Sequence, residues 1–277
     1  MSPNLPSVQL NDGRSMPALG YGVWQVGPKE IVPSVLAAIE AGYRSIDTAK
    51  IYGNEAGVGE AVRQSGVPRE ELFITTKLWN PDHSRAVEAM DESLSRLGLS
   101  YVDLYLIHWP APKQNLYVEA WKSLIEIQKS GKAKSIGVSN FTVANLQRVL
   151  DETEVVPAVN QIEVHPQLQQ DELRAFHAQR GIITEAYSPI GRGESLLDDA
   201  SLLEIARKHA KTAAQVVLRW HLELGLVAIP KTVKASRMKE NLDLFGFQLD
   251  EQDMAAMAKL NIGKRLGGDP ATSNYDV

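Results

Sequence analysis

The sequence predicts an α/β chain folded as a (β/α)8 TIM barrel, with an N-terminal β-hairpin and a short C-terminal tail over the barrel mouth. Three observations predict it. Short apolar runs alternate strictly with helix-period segments, eight times over, and such alternation makes a parallel sheet covered by helices. The 277 residues suit eight βα units, which typically take about 250 residues. No linker rich in Pro, Gly or Ser and no shift in composition divides the chain, so one closed barrel domain over residues 1–277 is expected rather than two open sheets.

The elements follow in order. Ser7 to Leu10 and Ser15 to Ala18 flank Asn11-Asp12-Gly13, and Asp-Gly is a strong hairpin turn. Strands are expected at 19–23, 45–47, 72–76, 102–107, 133–138, 158–162, 182–186 and 226–229. Helical periodicity falls at 31–41, 56–65, 84–97, 118–129, 143–151 and 171–179, in a pair at 201–209 and 213–223, and at 236–244. Gly42, Gly66, Gly98, Gly131, Gly181 and Gly225 stand where helices should stop. An extra helix after Asp250 and an irregular tail over 263–277 complete the chain. A doubly wound nucleotide fold would need a Gly-rich fingerprint after its first strand. Gly57-Val-Gly59-Glu-Ala-Val lacks the third glycine and lies inside a helical pattern, so it reads as a helix-packing detail.

Composition narrows the function. Lys and Arg number 29 against 34 Asp and Glu, a formal charge of −5, which argues against non-specific nucleic-acid or anionic-membrane binding. With no cysteine, disulfides, thiolate nucleophiles and Cys-ligated metals are excluded. The scattered His165, His177, His209 and His221 lack metal-ligand spacing, so no metal site is expected. The opening Met-Ser-Pro-Asn-Leu-Pro has no basic or apolar leader region, and no apolar run approaches a membrane span. The cytoplasm is the expected compartment and a monomer the expected state.

Active sites in such barrels form where strands end and βα-loops begin. Here those ends carry Gly22-Val23-Trp24, Asp47 and then Tyr52, Lys77 and then Trp79, His108-Trp109, Ser139-Asn140, Gln161, Tyr187-Ser188 and Pro230-Lys231. Asp47, Tyr52, Lys77 and His108 come from three successive βα units and can converge. Asp47 and Lys77 would pair, and a phenol beside that ammonium is expected to have a lowered pKa, making Tyr52 a proton donor to a carbonyl oxygen. His108 could orient that oxygen. Each has a plainer reading: a structural salt bridge, a satisfied strand-end histidine, a loop tyrosine. Their joint placement at strand ends argues against all three together.

Three segments carry a family resemblance. The stretch from Gly42 to Glu55, containing Asp47 and Tyr52, resembles the first motif of the aldo-keto reductases. Lys134-Ser-Ile-Gly-Val-Ser-Asn140-Phe resembles the second, and Ile229-Pro-Lys231 through Arg237, Glu240 and Asn241 the third. Within the family the chain is most similar to the bacterial 2,5-diketo-D-gluconate reductase-like branch. The resemblance implies a barrel, a catalytic tetrad of Asp47, Tyr52, Lys77 and His108 with Tyr52 as general acid, and NADPH bound without a Rossmann loop. It implies that Asp47, Ser139, Asn140, Gln161 and Tyr187 surround the nicotinamide, with Gly22, Val23 and Trp24 at the end of the first strand completing the set. Ser188, Ile190 and Gly191 would follow the pyrophosphate. Lys231, Thr232, Val233, Arg237, Glu240 and Asn241 would hold the adenosine end. Independently, Lys231, Lys234, Arg237 and Lys239 cluster within nine residues of an acidic chain; a phosphate dianion explains that cluster, although a solvated basic helix face is the plainer alternative.

Trp24, Trp79 and Trp109 should form an aromatic wall beside Tyr52 and His108 for a small carbonyl substrate, while Trp121 and Trp220 belong to the core. The segment from Gly191 to Leu196 is too short to fold over a cofactor as a long belt, which predicts an open site. Arg265 in the tail is a candidate partner for a substrate carboxylate. The expected function is NADPH-dependent reduction of aldehydes, ketones or keto-sugars to alcohols. The alternatives are a non-catalytic NADPH-binding regulatory barrel and a lyase using Lys77 as a Schiff base.

Overall fold

The structure is a computed structural model that describes residues 5–193 and 195–277. The opening residues 1–4, part of the stretch expected to carry no leader, and position 194 of the short segment between Gly191 and Leu196 lie outside the described residues. The hairpin forms as β1 (Ser7–Gln9) and β2 (Ser15–Pro17), antiparallel with Val8 opposite Met16. Leu10 and Met16 pack with Phe73, Leu104, Leu106, Val159 and Val227. Phe73 shares its strand face with Lys77 by the two-residue repeat, so these apolar side chains point into the barrel and fill its floor.

Above this plug stand β3 (Tyr21–Gly22), β4 (Ser45–Asp47), β5 (Phe73–Leu78), β6 (Val102–Ile107), β7 (Ala133–Ser139), β8 (Val159–Glu163), β9 (Ile183–Tyr187) and β10 (Val227–Ala228). Each pairs in parallel with the next. The sheet closes on itself: Leu19 bridges Ala228 in parallel, Gly20 N–H donates to Ala228 O at 2.9 Å, and Ala228 N–H donates to Ala18 O at 3.0 Å. All eight expected strands are present. Several run one or two residues further toward the carboxyl end than the apolar runs suggest; β5 continues to Leu78 because Lys77 and Leu78 pair with Leu106 and Ile107. Pairing, not hydropathy, sets a strand's last residue.

The helices are α1 (Ile31–Ala41), α2 (Glu55–Gln64), α3 (Ala86–Leu97), α4 (Tyr117–Lys129), α5 (Val143–Thr153), α6 (Asp171–Arg180), α7 (Ala200–Lys208), α8 (Ala213–Glu223), α9 (Ala235–Leu242) and α10 (Glu251–Lys259). Reciprocal caps at Thr142, Thr212 and Asp250 start α5, α8 and α10. The six predicted stop glycines all adopt positive φ, from 64° to 120°. The run expected from position 84 starts as a helix only at Ala86, because Asn80–Arg85 forms a 3-10 turn. Pro81 sits at its start, and Lys50 pins Asp82 at 2.6 Å.

The Gly57–Gly59 pair does lie inside a helix and serves packing. A Cβ on Gly59 would stand 1.8 Å from the Leu97 carbonyl oxygen, and one on Gly57 would stand 2.2 Å from Ile31 Cγ2. Helix α2 therefore approaches α1 and the end of α3 more closely than any side chain allows. Gly59→Ala should cost about 1–3 kcal/mol through the forced shift of backbone, read as a lower urea midpoint at unchanged slope; an unmoved midpoint would show that the helices separate freely.

Candidate active site

The carboxyl ends of the strands converge on one cavity of about 760 Å³. At its deep end β4 presents Asp47 and β5 presents Lys77, both buried. Lys77 Nζ lies 2.6 Å from Asp47 Oδ1 and donates to Thr48 O at 2.9 Å. Tyr52 ends the 3-10 turn Lys50–Tyr52. That loop is held because Thr48 Oγ1 donates to Asn54 Oδ1 at 2.7 Å and Asn54 Nδ2 donates to Val23 O at 3.0 Å. The result brings the phenol to the amine: Lys77 Nζ lies 5.1 Å from the centre of the Tyr52 ring. His108, just past β6, stands edge-on to Tyr52 at 5.8 Å. All four predicted residues meet.

The electrostatics correct one expectation. Burial raises the Tyr52 phenol above its ordinary pKa, and the Lys77 cation pulls it back only in part while Asp47 opposes that pull. Residue types alone reveal the cation but not the desolvation. Burial also disfavours the Lys77 cation, but Asp47 and Tyr52 more than offset this, so its pKa is raised and the amine stays charged. A charged, paired lysine is a poor Schiff-base nucleophile. His108 is held well below its ordinary value, first by burial and then by Lys77, and is a neutral imidazole.

Next to this group, Asn140 Nδ2 donates to His108 O at 3.0 Å, and the Tyr187 hydroxyl donates to Asn140 Oδ1 at 2.8 Å. Ser139 Oγ donates to Gln161 O at 2.8 Å. Gln161 Nε2 donates both to Asp47 Oδ2 and to Glu185 Oε2, each at 2.8 Å. Asn140 and Ser188 hold left-handed φ angles of 61° and 48°, strain that tends to collect at functional sites. The far end of the cavity is lined by Lys231, Thr232, Arg237, Glu240 and Asn241, on β10's exit and α9.

Most of the predicted positions line this cavity, including Gly22, Trp24, Trp79, Trp109, Ser188 and Ile190. Four do not, among the described residues. Lys77 is fully buried behind the lining, against Asp47. Val23 is buried in the apolar core, because its side chain alternates to the opposite strand face from Gly22. Gly191 lies against Leu196. Val233 faces solvent, 41% exposed. Arg265 lines a separate cavity with Asn261 and Asp269. In the short segment after β9, Arg192 sits over the Trp24 ring at 5.2 Å, which links that segment to the loop after β3.

Two contributors were not predicted. Tyr275 in the tail stacks on Trp79 at 6.4 Å and meets Trp109 edge-on at 5.1 Å, while Trp79 Nε1 donates to Asp276 Oδ2 at 2.9 Å. The tail thus completes the aromatic wall. Glu185 lies buried beneath Asp47; its position two residues before Tyr187 put it on the same strand face, a signal that was readable. No helix among the described residues is long and apolar enough to cross a membrane, and no cluster of three metal-ligating side chains occurs among them.

A sequence model of the Aldo/keto reductase family matches residues 18–262. The chain is 53% identical over 264 residues to methylglyoxal reductase DkgA of Escherichia coli K12, covering 95% of this chain and 96% of that protein. It is 50% identical over 272 residues to an aldo-keto reductase of Mycobacterium sp. strain KMS, covering 98% of each. Among solved structures, the aldo/keto reductase from Brucella melitensis matches with a TM-score of 0.90 at 53% identity, over 93% of this chain and 98% of that one. A mutant of Gox0644 in complex with NADPH matches with a TM-score of 0.93 at 47% identity, over 97% and 98%.

Proposed function

Because the chain belongs to the aldo/keto reductase family, we propose that this cavity carries out its chemistry with Tyr52 as proton donor. The protein is an NADP-dependent oxidoreductase that reduces small carbonyl compounds. The observation that carries the residue assignment is the part-buried Tyr52 phenol set beside the buried Lys77–Asp47 pair at an aromatic-walled cavity.

The residues fit the cofactor. Lys231 and Arg237 line one end of the cavity and form no ion pair among the described residues; two such cations suit a phosphate dianion, which Arg237 can meet with its planar fork. Lys231, Thr232, Arg237, Glu240 and Asn241 would hold the adenosine end, Ser188 and Ile190 the pyrophosphate, and Ser139, Asn140, Gln161 and Tyr187 the nicotinamide. When bound, NADPH supplies a hydride to the carbonyl carbon. His108, neutral, donates a hydrogen bond to the carbonyl oxygen and orients it beside Tyr52. As negative charge gathers on that oxygen, the Tyr52 O–H bond breaks and a new O–H bond forms at the substrate. The phenolate left behind faces the Lys77 ammonium, which Asp47 holds in place, and takes a proton from solvent before the next turnover. Trp24, Trp79 and Trp109 exclude water and shape the pocket. Methylglyoxal and keto-sugars are the proposed substrates. Residues 1–277 are taken as one barrel domain acting as a cytoplasmic monomer.

The test is a methylglyoxal and keto-sugar panel run with NADPH and NADH in parallel. NADPH should be preferred, and Arg237→Ala should raise KM for NADPH by about 10-fold or more, the value of a lost charge-assisted contact of about 1.5–3 kcal/mol, while leaving KM for NADH nearly unchanged. Equal effects on both cofactors would place the 2′-phosphate elsewhere.

A further inference from the structure

Glu185 has no part in the scheme above, yet it is fully buried at its centre. It stands on β9 two residues before Tyr187 and points into the barrel. One amide nitrogen, Gln161 Nε2, binds Glu185 Oε2 and Asp47 Oδ2 together, each at 2.8 Å. Both N–H bonds of Gln161 are thereby committed to carboxyl groups, which fixes the orientation of its amide. Glu185 Oε1 has no hydrogen-bond partner among the described residues. Two carboxyl groups thus share a buried pocket whose one cation among the described residues, Lys77, is already paired to one of them. A second negative charge there would be unbalanced, and a proton on Glu185 removes it.

We propose that Glu185 is a positioning residue of the reduction: protonated, it lets the Asp47–Lys77 pair serve Tyr52 alone; ionised, it sets a second carboxylate near the phenol and slows proton delivery. The proposal rests on the reading of Tyr52 as the acid. The groups that face Glu185 are Asp47 from β4, Tyr52 from the turn after it, Lys77 from β5 and the neutral Gln161 from β8; from β10 its pairing neighbour is the apolar Val227. Burial first, and Asp47 second, push its carboxyl up to about 8, against Gln161 and Lys77. The sign follows. As pH rises through about 8, Glu185 gives its proton to solvent, the negative charge raises the cost of forming phenolate at Tyr52, and kcat falls.

Two measurements test this, one of them independent of turnover. Infrared spectroscopy of the ligand-free protein with carbon-13-labelled glutamate should show a carboxylic acid C=O band at pH 7 that fades as pH rises through about 8 and is missing in Glu185→Gln. Absence of a protonated glutamate band in the wild type overturns the proposal even if the protein reduces carbonyls briskly. In the kcat–pH profile with NADPH and methylglyoxal, Glu185→Gln should move the alkaline limb upward by about one unit or more, while Glu185→Asp keeps a titrating group and keeps a limb. An unmoved limb in Glu185→Gln overturns it too. A wild type with the band but without NADPH turnover would sink the assignment of the reaction instead, and with it any role for Glu185 in proton delivery.

Discussion

Tyr52→Phe should lower kcat for carbonyl reduction by about 10²–10⁴-fold, the usual worth of a positioned proton donor, with NADPH affinity unchanged. The substitution removes one oxygen and keeps the ring, so the edge-on contact with His108 at 5.8 Å and the packing of the turn survive. What disappears is the O–H bond that must break as the alkoxide forms. Stopped-flow single turnovers isolate the chemical step, and the quenching of protein fluorescence by NADPH reports binding. A variant that still turns over at the wild-type rate would remove Tyr52 from the mechanism, whatever the fold.

Lys77→Met should be damaging in a different way. The lysine is fully buried and its amine meets Asp47 Oδ1 at 2.6 Å and Thr48 O at 2.9 Å. Removing the cation leaves Asp47 buried against Gln161 and Glu185 with no opposite charge, and breaking a buried pair from one side costs about 3–5 kcal/mol. Thermal and urea unfolding should both show that loss, together with loss of turnover. The double variant Lys77→Met with Asp47→Asn should regain much of the stability and none of the activity, since it removes the stranded charge but not the need for one beside Tyr52. Equal stability of the single and double variants would mean that Asp47 escapes its charge by another route, and the electrostatic account of the site would have to be rebuilt.

Both variants probe a group that could be read from residue types at strand ends. Asp47, Tyr52, Lys77 and His108 were legible because a barrel places every strand terminus on one rim, so residues far apart in the chain become neighbours by rule. The strand ends at Ser139, Asn140, Gln161 and Tyr187 follow from the same rule, whereas their proposed part in holding the cofactor came from the family resemblance alone. Val23 illustrates its limit: it stands beside Gly22 in the chain, but the two-residue alternation of a strand turns its side chain into the core. Tyr275 and Arg192 were out of reach for another reason. Each acts through contacts to aromatic rings set by the path of a loop or tail, and no periodicity governs such paths.

The ionisation of the site separates the two kinds of information most clearly. Which charges are present is a property of the chain alone: one lysine, one aspartate and one phenol at successive strand ends, with the alternating pattern that makes them converge. How those charges behave belongs to the folded barrel. Burial reverses the expected shift of Tyr52, silences His108 as a cation and turns Glu185 into an acid that holds its proton near neutrality. Local sequence can specify that a strand forms and which residues stand near its end; the desolvation that decides a proton's free energy is summed over every element packed around it, and that sum exists only once the chain has closed.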